Sequence, residues 1–290
     1  MVDGGSSYDQ SSMPSQQRVM AIHDMSCMGR CSLTVAIPVL SAFGLMAVPL
    51  PTALLSTHTG EFEGYTYCDL TEEMRGILHH WDTLGLTFQG IYSGFLGSEA
   101  QISLVGDVLA NRRQEALIMV DPVMGDQGEV YTTYTPAMVD GMGVLCRQAD
   151  VITPNLTEAF LLLNEPYSHH VSDEAVAGML EKLLHRFGCR YVAVTGVHRK
   201  GVYGSAVMSA EDGQMKFAGS RKEEGVYYGT GDLYASLLMG LLMKRHSLEF
   251  ANQKAVHIVS EAIRLSGATG LPLRYGVPFE LLMKEIACLG

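Results

Sequence analysis

The chain has 290 residues, 47% hydrophobic and 18% charged, enough apolar material for a sizeable core in one large domain or two smaller ones. Its formal charge of −11 argues against a general binder of nucleic acid or of anionic membranes. A local phosphate site remains open to it, because backbone N–H groups can supply one without basic side chains. The six cysteines (Cys27, Cys31, Cys68, Cys146, Cys189, Cys288) are mostly dispersed, and Cys27-x-x-x-Cys31 fits the usual structural zinc spacings poorly. Reduced thiols in a cytoplasmic protein are the simpler expectation. Residues 1–17 are rich in Ser, Gln and Gly without an apolar core, so they read as a disordered polar tail and not as a secretory signal. No run of 18 apolar residues occurs, and no membrane span is expected.

From Arg18 onward, short β-like runs alternate with helical patterns. Val19–Ile22 is a first strand, running into the polar His23-Asp24-Met25-Ser26. Ser32–Phe43 reads as a helix stopped by Gly44, with a kink expected at Pro38. Ala47–Leu55 is extended and closes at Ser56-Thr-His-Thr-Gly60. Glu61–Asp69 is polar enough to be a loop or flap, and a helix follows over Thr71–Trp81. Phe88–Phe95 holds the next strand; Ser98 and Gln101 then have capping-box spacing before a helix with Ile102, Val105 and Leu109 on its apolar face. Ala116–Val120 is a strand of the fully buried type, with Asp121 at its end. A helix over Ala137–Arg147, a short strand Val151–Ile152 and a helix through Leu163 come next. Ser172 caps a further helix, and Tyr191–Val194 is another strand, ending at Thr195-Gly196. A hairpin follows over Gly201–Met208 and Met215–Ala218, and helices dominate from Asp232. Such alternation predicts one α/β domain over residues 18–290, a mostly parallel central sheet flanked by helices on both faces.

Ligands of open parallel sheets bind at the C-terminal ends of the strands. Polar clusters fall at those predicted ends: Asp24-x-Ser26, His58-Thr59-Gly60, Asp121 to Asp126, Thr153-x-Asn155-x-x-Glu158 and Thr195-Gly196. The sharpest signal is Gly229-Thr230-Gly231-Asp232 ahead of an apolar helical run. Two glycines permit a tight turn and close approach of a ligand. A helix start offers unpaired N–H groups at its positive end, a plausible hole for a transferred phosphoryl group. Asp232 stands where a carboxylate could take the proton of an attacking hydroxyl.

Taken in order, Ser56-Thr-His-Thr-Gly60, Asp121-Pro-Val-Met-Gly-Asp126, Ile152-Thr-Pro-Asn-Leu-Thr-Glu158 and Gly229-Thr-Gly-Asp232 closely resemble the ribokinase-like superfamily, and within it the vitamin B6 (pyridoxal or pyridoxamine) kinases. The similarity spans roughly residues 18–285. It implies a ribokinase-like three-layer sandwich, use of ATP with Mg²⁺ and K⁺, a cytoplasmic homodimer, and phosphorylation of the hydroxymethyl group of a B6 vitamer. On that resemblance Asp232 is the base and the 229–232 backbone the anion hole. Asp121, Asn155 and Glu158 hold Mg²⁺ mostly through water beside the ATP phosphates, and Thr153 helps seat the monovalent cation. Asn155, Thr195, Gly196, Thr230 and Gly231 face the nucleotide. Asp24, Ser26, His58, Thr59 and Phe95 surround the vitamin ring, with Glu61–Asp69 as a lid.

Two departures keep a relative in play. Asp24-Met-Ser26 resembles the Asp-Pro-Ser of hydroxymethylpyrimidine kinases of thiamine synthesis, and Phe95 stands where many B6 kinases have a stacking tyrosine. Those pyrimidine kinases commonly carry cysteine after Gly-Thr-Gly, whereas this chain has Asp232. The alternatives are therefore a hydroxymethylpyrimidine kinase or a vitamer-binding protein without catalysis. Cys27 and Cys31 lie near the expected pocket and are expected to be buried, inert thiols.

Overall fold

The structure, a computed structural model, describes residues 16–112, 116–221 and 223–290. Most of the expected tail lies outside the described residues. Gln16 and Gln17 belong to the ordered body, because the Gln17 carbonyl accepts from Met46 N–H and the Gln16 amide donates to the Gly44 carbonyl.

The chain begins with β1 (Arg18–Met28), α1 (Leu33–Ala42) and β2 (Met46–Thr57), then the short β3 (Tyr67–Asp69) and α2 (Thr71–Thr83). Next come β4 (Gly90–Ser93), α3 (Glu99–Arg112) and β5 (Leu117–Val120). A small ribbon of β6 (Gly125–Asp126) and β7 (Glu129–Val130) precedes α4 (Pro136–Cys146), β8 (Val151–Ile152), α5 (Leu156–Leu163) and α6 (Asp173–Phe187). The chain ends with β9 (Tyr191–Arg199), β10 (Val202–Ser209), β11 (Lys216–Arg221), α7 (Thr230–Met243), α8 (Leu248–Leu265) and α9 (Met283–Ala287).

Nine strands form one sheet in the order β11-β10-β9-β8-β5-β4-β1-β2-β3. The six from β9 to β2 run parallel, and β3, β10 and β11 are antiparallel additions at the edges. Successive strand residues point to opposite faces, so a doubly covered sheet needs apolar residues at every position. In β1, Met20 and Ile22 enter the core under α2 to α6, while Val19 and Ala21 enter the core under α1, α7, α8 and α9. The next residue on that second face is His23. Burial continues to the strand ends, and the polar clusters are carried together to one edge of the sheet.

Several boundaries differ from expectation. The polar stretch 61–69 is not all loop, because Tyr67–Asp69 pairs with β2. Gln101 does not close a reciprocal capping box with Ser98. Its carbonyl oxygen accepts from Gly97 N–H, and its amide donates to the Thr52 carbonyl, the Asp69 carboxylate and the Thr71 hydroxyl. A buried amide needs all its partners, so Gln101 is used to tie β2 and β3 to α3. β9 runs on past Thr195-Gly196 to Arg199, with a bulge there: Ser205 pairs with Thr195 and Gly204 with Val197, leaving Gly196 outside the register. The last helical region starts at Thr230, two residues before Asp232.

α7 is buried almost all round, and its closeness to α1 depends on Gly240. A Cβ there would lie 2.3–2.8 Å from the ring of Phe43, itself 1% exposed. Gly240→Ala gains about 1 kcal/mol of helix propensity, against about 1–3 kcal/mol for overpacking a core that cannot move aside. The clash should win. Urea unfolding is expected to show a net loss of up to about 2 kcal/mol, and a variant more stable than the parent would mean that α1 and α7 separate freely.

Candidate active site

The 229–232 turn is set by how closely two loops approach. Gly229 caps α7 in the left-handed region (φ 73°), and a Cβ at this residue would sit 1.8 Å from the Arg30 carbonyl oxygen. Only glycine satisfies both demands. The first intrahelical bond runs from Leu233 N–H to the Gly229 carbonyl, so the N–H groups of Thr230, Gly231 and Asp232 lie ahead of the helix ladder. The Thr230 hydroxyl turns back to the Tyr227 carbonyl at 3.3 Å. Gly231 is exposed, with nothing near a Cβ position, so that face is open to a ligand.

Opposite lies the loop after β1. Asp24 is 6% exposed, and both its oxygens are taken: Ser26 donates to one at 2.8 Å and Ser32 to the other at 2.5 Å. Burial raises its pKa, and the Ser32 and Ser26 hydroxyls oppose that rise. Ser32 has φ 51° and ψ −130°, a sparsely populated conformation for a residue with a Cβ. That turn aims its hydroxyl at Asp24 and its backbone N–H at the Asp232 carboxylate. Asp232 keeps 17% exposure, yet burial pushes its pKa up to about 6; the Ser32 N–H holds the rise back and the Asp24 charge adds to it.

The second carboxylate group gathers at the ends of β5 and β8. Asp121 accepts from the Thr153 hydroxyl at 3.0 Å, and burial followed by the charge of Asp232 raises its pKa. Glu158 is also pushed up, by burial and then by Asp121. The capping box sought at Ser98 is here instead. Asn155 accepts from Glu158 N–H, and Glu158 accepts from the N–H of Asn155 and of Met124. The Asn155 amide also donates to the Gly125 carbonyl, fastening the β6–β7 ribbon. Asn155, Thr153 and Glu158 thus have structural partners already. Oδ2 of Asp121 has no hydrogen bond among the described residues and is the freest anionic oxygen of the set.

The expected vitamin-ring residues divide. Ser26 is fully buried and serves Asp24. Phe95, just after β4, is half-buried, packs edge-on to Tyr134 and lies against the core. Thr59 is exposed. His58 has no polar atom to spare, because Nε2–H donates to the Arg274 carbonyl at 2.5 Å and Nδ1 accepts from Gly60 N–H at 3.1 Å. Its ring lies against Tyr228 and Phe62, and Phe62 lies near Tyr275. His58 therefore ties the start of the 61–66 segment to Arg274 and to Tyr228 in the loop preceding Gly229. The sequence reading overlooked Tyr228 and Arg30, whose guanidinium bonds Glu280 at 2.7 and 2.9 Å and whose N–H meets the Tyr275 carbonyl. It also overlooked Ser32, whose backbone strain has no sequence signal, and Tyr67, whose hydroxyl sits over Gly97. Cys31 is buried and its thiol is raised by that burial, as expected of an inert thiol; Cys27, against expectation, is exposed.

Among the described residues, no three His, Cys, Asp or Glu side chains converge as a metal cage. Mg²⁺ keeps several waters and needs only one or two carboxylates besides phosphate oxygens. The raised acids Asp121 and Glu158 are the groups that such an ion would stabilise in ionised form.

This arrangement has counterparts. Residues 37–275 match the family model for phosphomethylpyrimidine kinase. The pyridoxine/pyridoxal/pyridoxamine kinase of Bordetella avium is 29% identical over 90% of each chain. The crystal structure of pyridoxal kinase from Lactobacillus plantarum is 32% identical, covers 95% of this chain and 98% of its own, and superposes with a TM-score of 0.87. A Bacteroides thetaiotaomicron protein, provisionally assigned as a phosphomethylpyrimidine kinase and crystallised with pyridoxal, is 38% identical with a TM-score of 0.89, over 93% and 96% of the two chains. The chain therefore belongs to the phosphomethylpyrimidine kinase family and, within the ribokinase-like fold, to its pyridoxal kinases.

Proposed function

We propose that the protein transfers the γ-phosphoryl group of ATP to the hydroxymethyl group of pyridoxal, pyridoxamine or pyridoxine. The observation that carries this reading is the Gly229–Asp232 turn. A carboxylate and a set of helix N–H groups without partners among the described residues share one spot there, facing the Asp24–Ser26–Ser32 loop. Pyridoxal in the 38% identical relative supports the choice of vitamer.

In this reading Asp232 accepts the proton of the substrate hydroxyl, and the N–H groups of residues 230–232 receive the charge that develops on the phosphoryl oxygens. Asp24, with both oxygens held by serines, faces the ring's polar edge, and Phe95 offers its face. Asp121, with Glu158 behind it, would hold Mg²⁺ through water, and the ion would neutralise phosphate charge. Asn155, Thr195, Gly196, Thr230 and Gly231 would line the nucleotide side, and the Thr153 hydroxyl would help seat a monovalent ion such as K⁺. The 61–69 lid excludes water that would compete as acceptor. One domain over residues 18–290, a homodimer and a cytoplasmic location complete the proposal; among the described residues no helix is long and apolar enough to cross a membrane.

The Asp24-Met-Ser26 loop and the matched family model favour a second substrate class, hydroxymethylpyrimidine. ADP release with Mg²⁺, K⁺ and ATP should be faster with the three pyridine vitamers than with hydroxymethylpyrimidine, and the reverse order would reassign the substrate. Tight binding of vitamers without ADP release would leave a binding protein.

Asp232→Asn should lower kcat by about 10²-fold or more with little change in ATP binding, as for loss of a positioned general base. A variant that turns over normally would remove Asp232 from the chemistry.

The pKa of Asp232 also sets pH dependences. A base is active when ionised, so kcat/KM should fall about tenfold per pH unit below about 6, and the limb should vanish in Asp232→Asn. The stability effect has a sign of its own. Asp232 binds its proton more tightly folded (about 6) than at its ordinary 3.8. Its contribution is full below 3.8 and is lost as pH rises through about 6. Asp121 and Glu158 act in the same direction. Urea midpoints of the Mg²⁺-free protein should therefore fall from pH 5 to pH 8 less steeply in Asp232→Asn than in the parent; equal slopes would mean that the carboxyl is not shifted.

A further inference from the structure

His23 is the buried titratable group that the chemistry above leaves unused. It stands on β1 at the point where the β1–β2 register shifts, and it follows Val19 and Ala21 onto the face covered by α7. Its side chain is fully buried, and neither Nδ1 nor Nε2 has a hydrogen-bond partner among the described residues. Nδ1 lies 4.0 Å from Oδ1 of Asp232. The groups facing the ring are Asp232 from α7 and, from β4, Tyr92, whose ring meets the imidazole edge-on at 4.3 Å. Gly94 is shaped to it: a Cβ there would lie 2.1–2.2 Å from the imidazole.

An imidazole with both nitrogens unpaired loses its hydrogen bonds to water and regains none in the protein. A Phe or Leu of similar volume would fill the same space without that loss. Burial keeps the ring neutral, with its pKa lowered to about 3, so it is not a counter-charge for Asp232. Yet Gly94 and Tyr92 accommodate an imidazole, and one of its nitrogens points at the carboxylate. The gap of 4.0 Å is about 1 Å longer than a hydrogen bond. A side-chain rotation of Asp232 would close it, and active-site hydrogen bonds commonly tighten only when substrate is bound.

Building on the kinase reading, we infer that His23 is a positioning residue for Asp232: its neutral Nδ1–H donates to Oδ1 in the substrate complex, leaving Oδ2 directed at the hydroxyl to be deprotonated. The Ser32 N–H approaches the carboxylate from the loop before α1, so the base is held from two sides by uncharged donors. Such a device fixes orientation without adding charge. It should act on kcat and leave the ground-state binding of either substrate nearly unchanged.

The test uses His23→Phe and His23→Asn in the full-length protein. Phe keeps the ring and loses the donor, whereas the amide of Asn can present an N–H near the place of Nδ1. His23→Phe should lower kcat about 10- to 100-fold, the scale of a misplaced reacting group, with both KM values within about threefold and an unchanged or higher melting temperature. His23→Asn should recover most of the loss. In an Asp232→Ala background, His23→Phe should cost nothing further. A fully active His23→Phe would overturn the inference, as would His23→Asn being no better than Phe, or an equal loss in the Asp232→Ala background. A readout independent of turnover is the imidazole ¹H–¹⁵N NMR spectrum with pyridoxal and a non-hydrolysable ATP analogue bound: His23 should be the Nδ1–H tautomer, its proton moving upfield in Asp232→Ala, and a bare Nδ1 in that complex would refute the bond. Should the protein phosphorylate no vitamer at all, the kinase reading fails while the spectrum still decides the contact.

Discussion

Four carboxyl groups, Asp24, Asp121, Glu158 and Asp232, are buried or nearly so at one edge of a single sheet, and all four have raised pKa values. Packing acids this closely in low dielectric disfavours their ionised forms, and the effect grows with each charge added. The surrounding structure offsets it with uncharged donors: Ser26 and Ser32 on Asp24, Thr153 on Asp121, two backbone N–H groups on Glu158. No Lys or Arg forms an ion pair with any of the four among the described residues. Such a site would be stabilised by a cation brought in with a nucleotide. An overall charge of −11 is compatible with such a ligand because recognition is local.

The second constraint is the docking of two turns. Arg30 is clamped to Glu280 and to the Tyr275 and Gly276 carbonyls, which fixes the loop after β1 against the C-terminal segment. Gly229 then rests on the Arg30 carbonyl with no space for a side chain. Asp232 and the Asp24–Ser32 loop are thereby held side by side, although they come from chain positions some two hundred residues apart. Ser32 carries the strain of this arrangement, as expected where a site over-determines its backbone. The start of the 61–66 segment joins the same arrangement through His58, Tyr228 and Arg274.

Much of the fold could be read from the chain because the signals are local. Fully apolar runs such as Leu117–Val120 can only be covered on both faces, and period-3.6 stripes such as Val176, Leu180, Leu183 and Phe187 belong to helices. Failures came where local chemistry has more than one use. Ser98 and Gln101 have capping-box spacing, but Gln101 is drawn away by unpaired groups on β2 and β3. Gly196 ends no strand, because a bulge lets the chain continue. The β6–β7 ribbon has two residues per strand, too few for a periodicity to register.

The sequence alone determined the alternation of strands and helices, hence a parallel sheet with its ligand edge. It also supplied the motifs Asp121–Asp126, Thr153–Glu158 and Gly229–Asp232, each a short stretch whose meaning lies in its own turn or cap. The tertiary structure decided which polar atoms remain available once the chain has closed. His58, Asn155 and Glu158 have backbone partners supplied by folding, while His23, at the end of the first strand, is brought beside Asp232 with neither nitrogen partnered among the described residues. Burial and partnership depend on contacts between residues far apart in sequence, and no spacing within a single segment encodes them.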